Sequence, residues 1–155
     1  TIYTLLYNMT EKTQSQLMRM LGKVAQKFPQ TEEPVVMTDL HLRVNQETGD
    51  VMVFDDDDNE ITRIVVDEWI GNNEEDTVFY KKVAKGLRQL LLKDNFGSTL
   101  GIIMPYSFVL ENETGEHIDE LFIADTDDTI IIGGKFMDNL EKDLDDFLRH
   151  LMDEK

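Results

Sequence analysis

The chain has 155 residues, of which 41% are hydrophobic, and this is enough for one globular domain with its own core. Acidic residues outnumber basic residues by 32 to 15, and the formal net charge of -17 disfavours binding to nucleic acids and anionic membranes, because both repel a negative surface. The absence of cysteine excludes disulfides, thiolate nucleophiles and cysteine-ligated metal sites, and we therefore expect the protein in the reducing cytoplasm. From the length and the hydrophobic content we expect one domain over residues 1–155.

The first 28 residues predict one helix and leave a short segment open. An amphipathic helix is predicted from residue 10 to about residue 28, with apolar residues at helical spacing at Leu17, Leu21, Val24 and Phe28. Thr10 suits the N-cap because its hydroxyl can accept a hydrogen bond from the first turn. Residues 1–9 fit a helix or a strand, and they lack the cationic start of a secretory signal. No run in the chain approaches the roughly 18 apolar residues of a membrane span.

Three strands and two turns are predicted after this helix. Apolar and polar residues alternate from residue 36 to residue 44, as in a strand with one buried face. The segment NQETGD then predicts a turn, in which Gly49 can adopt a positive φ, and VMVF predicts the second strand. The segment DDDDNE predicts the second turn, and ITRIVVDEW predicts a third strand that ends at Trp69.

The second half of the chain predicts the same order of elements. A helix is expected over residues 77–93, with Gly97 as a stop signal. STLGIIMPYSFVL predicts a strand interrupted at Pro105, ENETGE a turn, HIDELFIA a strand, DTDD a turn and TIIIGG a strand. A final helix is predicted from apolar residues at helical spacing, at Phe136, Leu140, Leu144, Phe147, Leu148 and Leu151.

The predicted fold class is therefore α+β, with about six strands in one or more antiparallel sheets and three main helices. Their order is α-βββ-α-βββ-α. The turn NQETGD matches ENETGE, and DDDD matches DTDD. A duplicated βββα unit explains these matches, and so do independent hairpins that use the same turn-forming residues, so both interpretations stay open.

Four consecutive aspartates at positions 55–58 predict a solvent-exposed hairpin turn. Aspartate favours turns because its short side chain bonds nearby backbone amides, and four adjacent charges need water around them. The alternative is a divalent cation site made by Asp56, Asp58, Glu60 and Asp67, with the spacing of a calcium loop. Ile61 stands where that loop requires glycine, and strands flank the segment, so we predict no metal site.

No catalytic residue and no cofactor site is predicted. The serines and histidines occur far apart in unrelated contexts, at Ser15, Ser98 and Ser107 and at His41, His117 and His150. None of the serines stands in a nucleophile elbow, and no catalytic triad can be assigned from the sequence. Folding can still bring distant histidines and acids together, so this pattern favours a non-enzyme without excluding catalysis.

The order of helices and strands on a small, acidic, cysteine-free chain is similar to the layout of type III secretion chaperones. This resemblance implies a cytoplasmic homodimer that binds extended segments of another protein through apolar patches. The segments LRVNQETGDVMVFDDDDNE and DEW also resemble parts of uncharacterised small acidic bacterial proteins, which imply no function. Neither resemblance assigns a site residue.

The leading functional hypothesis is a non-catalytic, chaperone-like module that binds a basic or apolar segment of another protein. Such a module would bind neither nucleic acid nor membrane, and a homodimer is compatible with it. One alternative is a metal-dependent hydrolase that uses the aspartate-rich turns. Another is an inhibitor whose carboxylates imitate the phosphates of DNA.

Overall fold

A mixed β-sheet with helices packed on it confirms the predicted α+β class. The computed structural model describes residues 9–125 and 130–131. The helices are α1 (Glu11–Lys27) and α2 (Asp76–Leu92), with 3₁₀ segments at Asp67–Trp69 and Lys93–Ser98. The strands are β1 (Leu40–Val44), β2 (Asp50–Phe54), β3 (Glu60–Val65), β4 (Tyr106–Glu111), β5 (His117–Ala124) and the two-residue β6 (Ile130–Ile131).

The order of strands across the sheet is β3-β2-β1-β4-β5-β6. Each consecutive group of three strands is an antiparallel meander, as predicted. The two groups meet at β1 and β4, which run parallel, with Leu40 opposite Phe108 and Leu42 opposite Leu110. The prediction of a purely antiparallel sheet is wrong at this pair, because the connection through α2 returns the chain in the same direction.

Helix α1 forms as the sequence predicts. The hydroxyl of Thr10 accepts a hydrogen bond from the amide of Thr13 at 3.2 Å, and Phe28 provides the C-cap. The buried side of α1 carries Leu17, Met20, Leu21 and Val24. Helix α2 also agrees with prediction to within one residue at each end. The third predicted helix lies outside the described residues, as do residues 1–8 and positions 126–129, which include most of the DTDD turn.

Strand β1 begins at Leu40, four residues later than predicted. Val36 forms only an isolated bridge to Ile102, while Val35 and Met37 are 86% and 78% exposed. The reason lies at Asp39, whose carboxylate accepts a hydrogen bond from the amide of Ser107 at 2.8 Å. The amide of Ser107 thus bonds to the side chain of Asp39 and not to a backbone carbonyl. The regular β1–β4 ladder starts only at the next residue, Leu40.

Strand β3 ends at Val65, so the prediction of a strand up to Trp69 is wrong. The amide of Val66 bonds back to the carbonyl of Gly49 at 2.9 Å, and the amide of Trp69 bonds to the carbonyl of Val66 at 3.0 Å. This short-range bond closes a 3₁₀ turn at Asp67–Trp69. The turn buries Trp69 in the core.

Both helices pack on one face of the sheet, and together they form one hydrophobic core. The sheet contributes Leu40, Leu42, Val44, Val51, Val53, Phe108 and Leu110 to this core face. Strand alternation places His41, Arg43, Met52, Phe54, Val109 and Glu111 on the opposite face, which we term the second sheet face. Among the described helices, none is long and apolar enough to cross a membrane.

The chain leaves α2 through two consecutive residues in the left-handed region, Asp94 (φ 54°) and Asn95 (φ 57°). Asparagine tolerates this conformation better than alanine because its polar side chain can bond locally. We therefore expect Asn95→Ala to lower the free energy of unfolding by about 1 kcal/mol. Asn95→Gly is the matched control and should match or exceed the parent in urea denaturation. Equal stability of the alanine and glycine variants would contradict this expectation.

Candidate binding site

A polar pocket lies beyond the carboxyl ends of the parallel strands β1 and β4. The chain leaves β1 towards β2 and leaves β4 towards β5, in opposite directions across the sheet. Parallel neighbours whose connections diverge in this way leave a crevice between the connections, which is a common place for ligands in open sheets. The pocket encloses about 530 Å³. We term it the acidic pocket, lined by Asn45, Gln46, Glu47, Gly71, Asn72, Asn73, Glu74, Asp76 and Glu113.

The β1–β2 turn forms one wall of the acidic pocket. The side-chain oxygen of Asn45 accepts hydrogen bonds from the amides of Glu47 (2.9 Å) and Thr48 (3.1 Å), which fixes a tight turn. Gly49 closes this turn with φ 76°, which confirms the positive φ predicted from the sequence. A side chain at this position would also meet the carbonyl oxygen of Val66, 2.7 Å from an added Cβ.

The loop that leads into α2 forms the opposite wall, and hydrogen bonds join it to the first. The side-chain amide of Gln46 donates to the side-chain oxygen of Asn72 at 2.9 Å and to the carbonyl of Glu74 at 2.7 Å. The amide of Gly71 donates to the carbonyl of Glu47 at 2.7 Å. These bonds connect the two loops through their polar groups, so the walls hold a fixed separation.

Tyr80 on α2 forms a hydrogen bond with Glu113, which lines the acidic pocket. Its hydroxyl lies 2.9 Å from the carbonyl oxygen of Val44 and 3.0 Å from Oε2 of Glu113. Burial raises the pKa of Tyr80 above its usual value, and the hydrogen bond to Glu113 adds to the rise. The hydroxyl therefore stays protonated and donates, while Glu113 contributes acceptor oxygens to the pocket lining.

The acidic pocket has a strongly negative lining. Its carboxylates are those of Glu47, Glu74, Asp76 and Glu113, and its carboxamides are those of Asn45, Gln46, Asn72 and Asn73. Within the part of the chain that the structure describes, the lining includes no lysine, arginine or histidine. Such a lining offers many acceptor oxygens and a negative field, which suits an ammonium or guanidinium group.

A smaller aromatic pocket of about 140 Å³ adjoins the acidic pocket and shares Asn72 and Glu74 with it. Its lining also includes Met9, Glu68, Trp69, Phe79, Lys82 and Val83. The rings of Trp69 and Phe79 meet edge to face, with centroids 5.7 Å apart. An ion pair with Lys82 and a hydrogen bond from Asn72 lower the pKa of Glu74, so this shared carboxylate stays ionised.

Exposed apolar side chains flank the aromatic pocket in the sequence. Ile70, which follows Trp69, is 56% exposed, and Val78, which precedes Phe79, is 41% exposed. A single exposed apolar residue needs no explanation, but each of these two is the chain neighbour of an aromatic residue that lines the pocket. The two pockets therefore join an acidic lining to an aromatic lining that is largely buried.

The four aspartates form the turn that the sequence predicts between β2 and β3. One carboxylate oxygen of Asp55 accepts hydrogen bonds from the amides of Asp57 and Asn59, both at 2.9 Å. Asp56, Asp57 and Asp58 are exposed, whereas Asp55 is half-buried. We term residues 55–59 the Asp-rich loop. Burial raises the pKa of Asp55, but the hydrogen bonds from Asn59 and Asp57 outweigh it and hold that pKa below its usual range.

The residues of the alternative cation site each face a different basic side chain. The pairs are Asp56 with His41 (2.8 Å), Asp58 with Arg43 (3.9 Å), Glu60 with Arg63 (2.6 Å) and Asp67 with Lys12 (2.7 Å). In residues 9–125, no three histidine, aspartate or glutamate side chains are arranged to hold a metal ion. The calcium-loop spacing thus does not bring these carboxylates to a common point.

A cluster of charged residues on the second sheet face was not predicted from the sequence. We term it the His41 cluster, and it comprises His41, Arg43, Asp56 and Glu111. Arg43 donates to Oε1 of Glu111 from Nε (3.1 Å) and Nη2 (3.0 Å), and its guanidinium lies 4.2 Å above the ring of Phe54. The only sequence signal was two basic residues at alternating positions of one strand, and nothing local identified their partner on β4.

No protein-family model, no curated protein and no solved structure matches the chain. The similarity to type III secretion chaperones therefore stays a resemblance in the order of elements.

Proposed function

We propose that the protein is a non-catalytic binding module that takes a basic segment of another protein, in which an apolar side chain neighbours a lysine or arginine. The segment binds across the acidic and aromatic pockets. The observation that carries this proposal is the adjacency of the two pockets, which share Asn72 and Glu74. A protein whose acidic residues served only to keep it soluble would not need an acidic pocket next to an aromatic pocket.

The acidic pocket supplies the charged part of the recognition. A cation entering it meets Glu47, Asp76 and Glu113, and the net charge of -17 draws basic partners towards the surface as a whole. Complementary charge speeds encounter and rejects acidic partners more than it adds affinity. The acidic pocket therefore selects the class of partner.

The aromatic pocket supplies the apolar part of the recognition. Trp69 and Phe79 are held by their edge-to-face contact and by the surrounding core. Their side chains therefore lose little conformational entropy when a partner binds. An aliphatic or aromatic side chain of the partner enters beside them. This half of the site provides most of the affinity, as buried apolar anchors do in protein interfaces.

The alternative functions receive less support from the same residues. A hydrolase using the Asp-rich loop needs carboxylates around a common metal ion, and Asp56, Asp58 and Glu60 face different basic partners. A DNA mimic needs acids gathered on one face without interspersed cations. Arg43 and Arg63 stand among the acids of β1 to β3 and reduce the negative field there.

An array of 12-residue peptides tests the proposal. Half of the array alternates lysine or arginine with leucine or phenylalanine, and the matched half carries glutamate in place of each basic residue. We expect binding only from the basic half, with affinity that falls at raised salt because the charges are screened. The tightest peptide is then titrated by calorimetry.

Paired variants locate the binding surface. Asp76→Asn with Glu113→Gln should weaken the chosen peptide by about tenfold or more, since two acceptor charges are lost. Glu32→Gln with Glu33→Gln removes the same charge from an exposed loop outside the pockets and should leave affinity unchanged. Equal affinities for basic and acidic peptides, or equal losses in both variants, would refute the proposal.

A further inference from the structure

His41 lies between two carboxylates, one on each side of its imidazole ring. Nδ1 is 2.8 Å from Oε2 of Glu111 on β4, and Nε2 is 2.8 Å from Oδ1 of Asp56 in the Asp-rich loop. An ionised carboxylate only accepts hydrogen bonds, so each ring nitrogen must carry a proton to make its contact. The arrangement therefore requires the doubly protonated, positively charged form of the ring.

The two carboxylates differ in how easily they can turn into water when the ring loses a proton. Glu111 is 8% exposed and is also held by the guanidinium of Arg43, whereas half of the Asp56 side chain is exposed. A neutral ring has one N–H group and can donate to only one of them. Asp56 can turn into water at little cost, and Glu111 cannot. Deprotonation therefore breaks the contact with Asp56.

We propose that His41 is a pH-dependent clamp, whose charged ring holds the Asp-rich loop against the second sheet face and whose deprotonation releases the Asp56 side chain. The loop keeps a separate anchor, because the amide of Asp56 donates to the hydroxyl of Thr38 at 2.9 Å. The released state is thus a local rearrangement of the loop, with β2 and β3 still paired. The inference does not depend on the binding function proposed above.

The charges around the ring set the direction of the pH response. Burial lowers the pKa of His41, but the hydrogen bonds and charges of Asp56 and Glu111 outweigh it and raise that pKa above 6.5. A raised pKa in the folded state means that the stabilisation is fully present below pH 6.5 and is lost as the pH rises through the folded value. The clamp is therefore closed in mild acid and opens towards alkaline pH.

Several other charged groups surround this site, and the experiment has to separate them from His41. They are Asp39 and Arg43 from the β1 region, Asp55, Asp56 and Asp58 from the Asp-rich loop, Glu111 from β4 and His117 from β5. His117 is the one most easily confused with His41, because it is also a histidine and lies opposite Glu111 in the β4–β5 ladder.

A full-length variant with His117→Gln and His150→Gln leaves His41 as the only histidine. We expect its ring signals in NMR to titrate with a midpoint above pH 6.5, and the amide signals of Asp56 and Asp57 to shift with the same midpoint. Loop amides that show no transition in this variant would overturn the proposal, since His117 or His150 would then be the sensor. A ring midpoint below pH 6.5 would overturn it as well.

Two further substitutions in that background test the contact itself. Asp56→Asn removes the charge that His41 holds, so the ring midpoint should fall and the loop amides should no longer follow it. Asp57→Asn, one residue along the same loop, should leave both titrations as they are. Equal effects of the two substitutions would show a general charge effect and would also overturn the proposal. His41→Gln in the parent chain should abolish the loop transition, and its persistence would count against the clamp.

Discussion

Replacing Gly101 with alanine is expected to lower the free energy of unfolding by about 3 kcal/mol, at the upper end of the range for overpacked sites. An added Cβ at this position would lie 2.1 Å from the carbonyl oxygen of Pro29 and 3.1 Å from its carbonyl carbon. The amide of Gly101 also donates to the carbonyl of Phe28 at 2.9 Å. Because backbone meets backbone here, no side-chain rotation can relieve the clash, and the end of α1 has to move away from the segment before β4.

Gly22 is the matched control for this substitution. It lies within α1, and an added Cβ would have no atom within 4 Å. Gly22→Ala should therefore raise the free energy of unfolding by about 0.5 to 1 kcal/mol, as expected for glycine replaced inside a helix. Urea denaturation of both variants gives the comparison. A Gly101→Ala variant as stable as the parent would show that the contact between Pro29 and Gly101 is looser than described.

Elements whose causes are local were predicted well from the sequence. The bounds of α1 follow from the Thr10 cap and from apolar residues at helical spacing, and HIDELFIA forms β5 over the predicted residues. Gly49 has the positive φ that its turn requires. In each case the determining residues lie within a few positions of one another, so periodicity and turn chemistry are sufficient.

Features set by distant contacts were predicted less well. The parallel pairing of β1 with β4 depends on the path through α2, which no local pattern encodes. The late start of β1 depends on a bond between Asp39 and Ser107, whereas the early end of β3 comes from a local 3₁₀ turn, closed by the bond from the amide of Trp69 to the carbonyl of Val66. Alternation continues past both points in the sequence, but the backbone has other partners there.

The candidate site was the least predictable part, because strand order creates it. The acidic pocket exists where the connections after β1 and β4 diverge, and this requires the parallel pair. The aspartates that stood out in the sequence form a turn outside this pocket, while ordinary-looking residues such as Asn72 and Glu74 join the two pockets. His41 and Glu111 lie 70 positions apart and meet only through the sheet.

Arg43→Met is expected to lower the free energy of unfolding by about 2 to 3 kcal/mol, slightly less than the usual cost of breaking a fully buried ion pair. The substitution keeps most of the side-chain volume but removes the guanidinium that holds Glu111 through two hydrogen bonds. The side chain of Glu111 is 11% exposed, and within residues 9–125 its remaining ion-pair partner would then be His41. Loss of the contact between Arg43 and the ring of Phe54 adds a smaller cost, of about 0.5 to 1 kcal/mol.

A second substitution separates loss of charge compensation from loss of packing. In the Arg43→Met background, Glu111→Gln removes the buried charge that lacks its main partner, so urea denaturation should show that part of the lost stability is regained. In the parent background, the same Glu111→Gln change should destabilise, because it leaves Arg43 and His41 without their shared carboxylate. If Glu111→Gln is equally costly in both backgrounds, the two residues are not coupled. The pair would then contribute to stability through packing and not through charge.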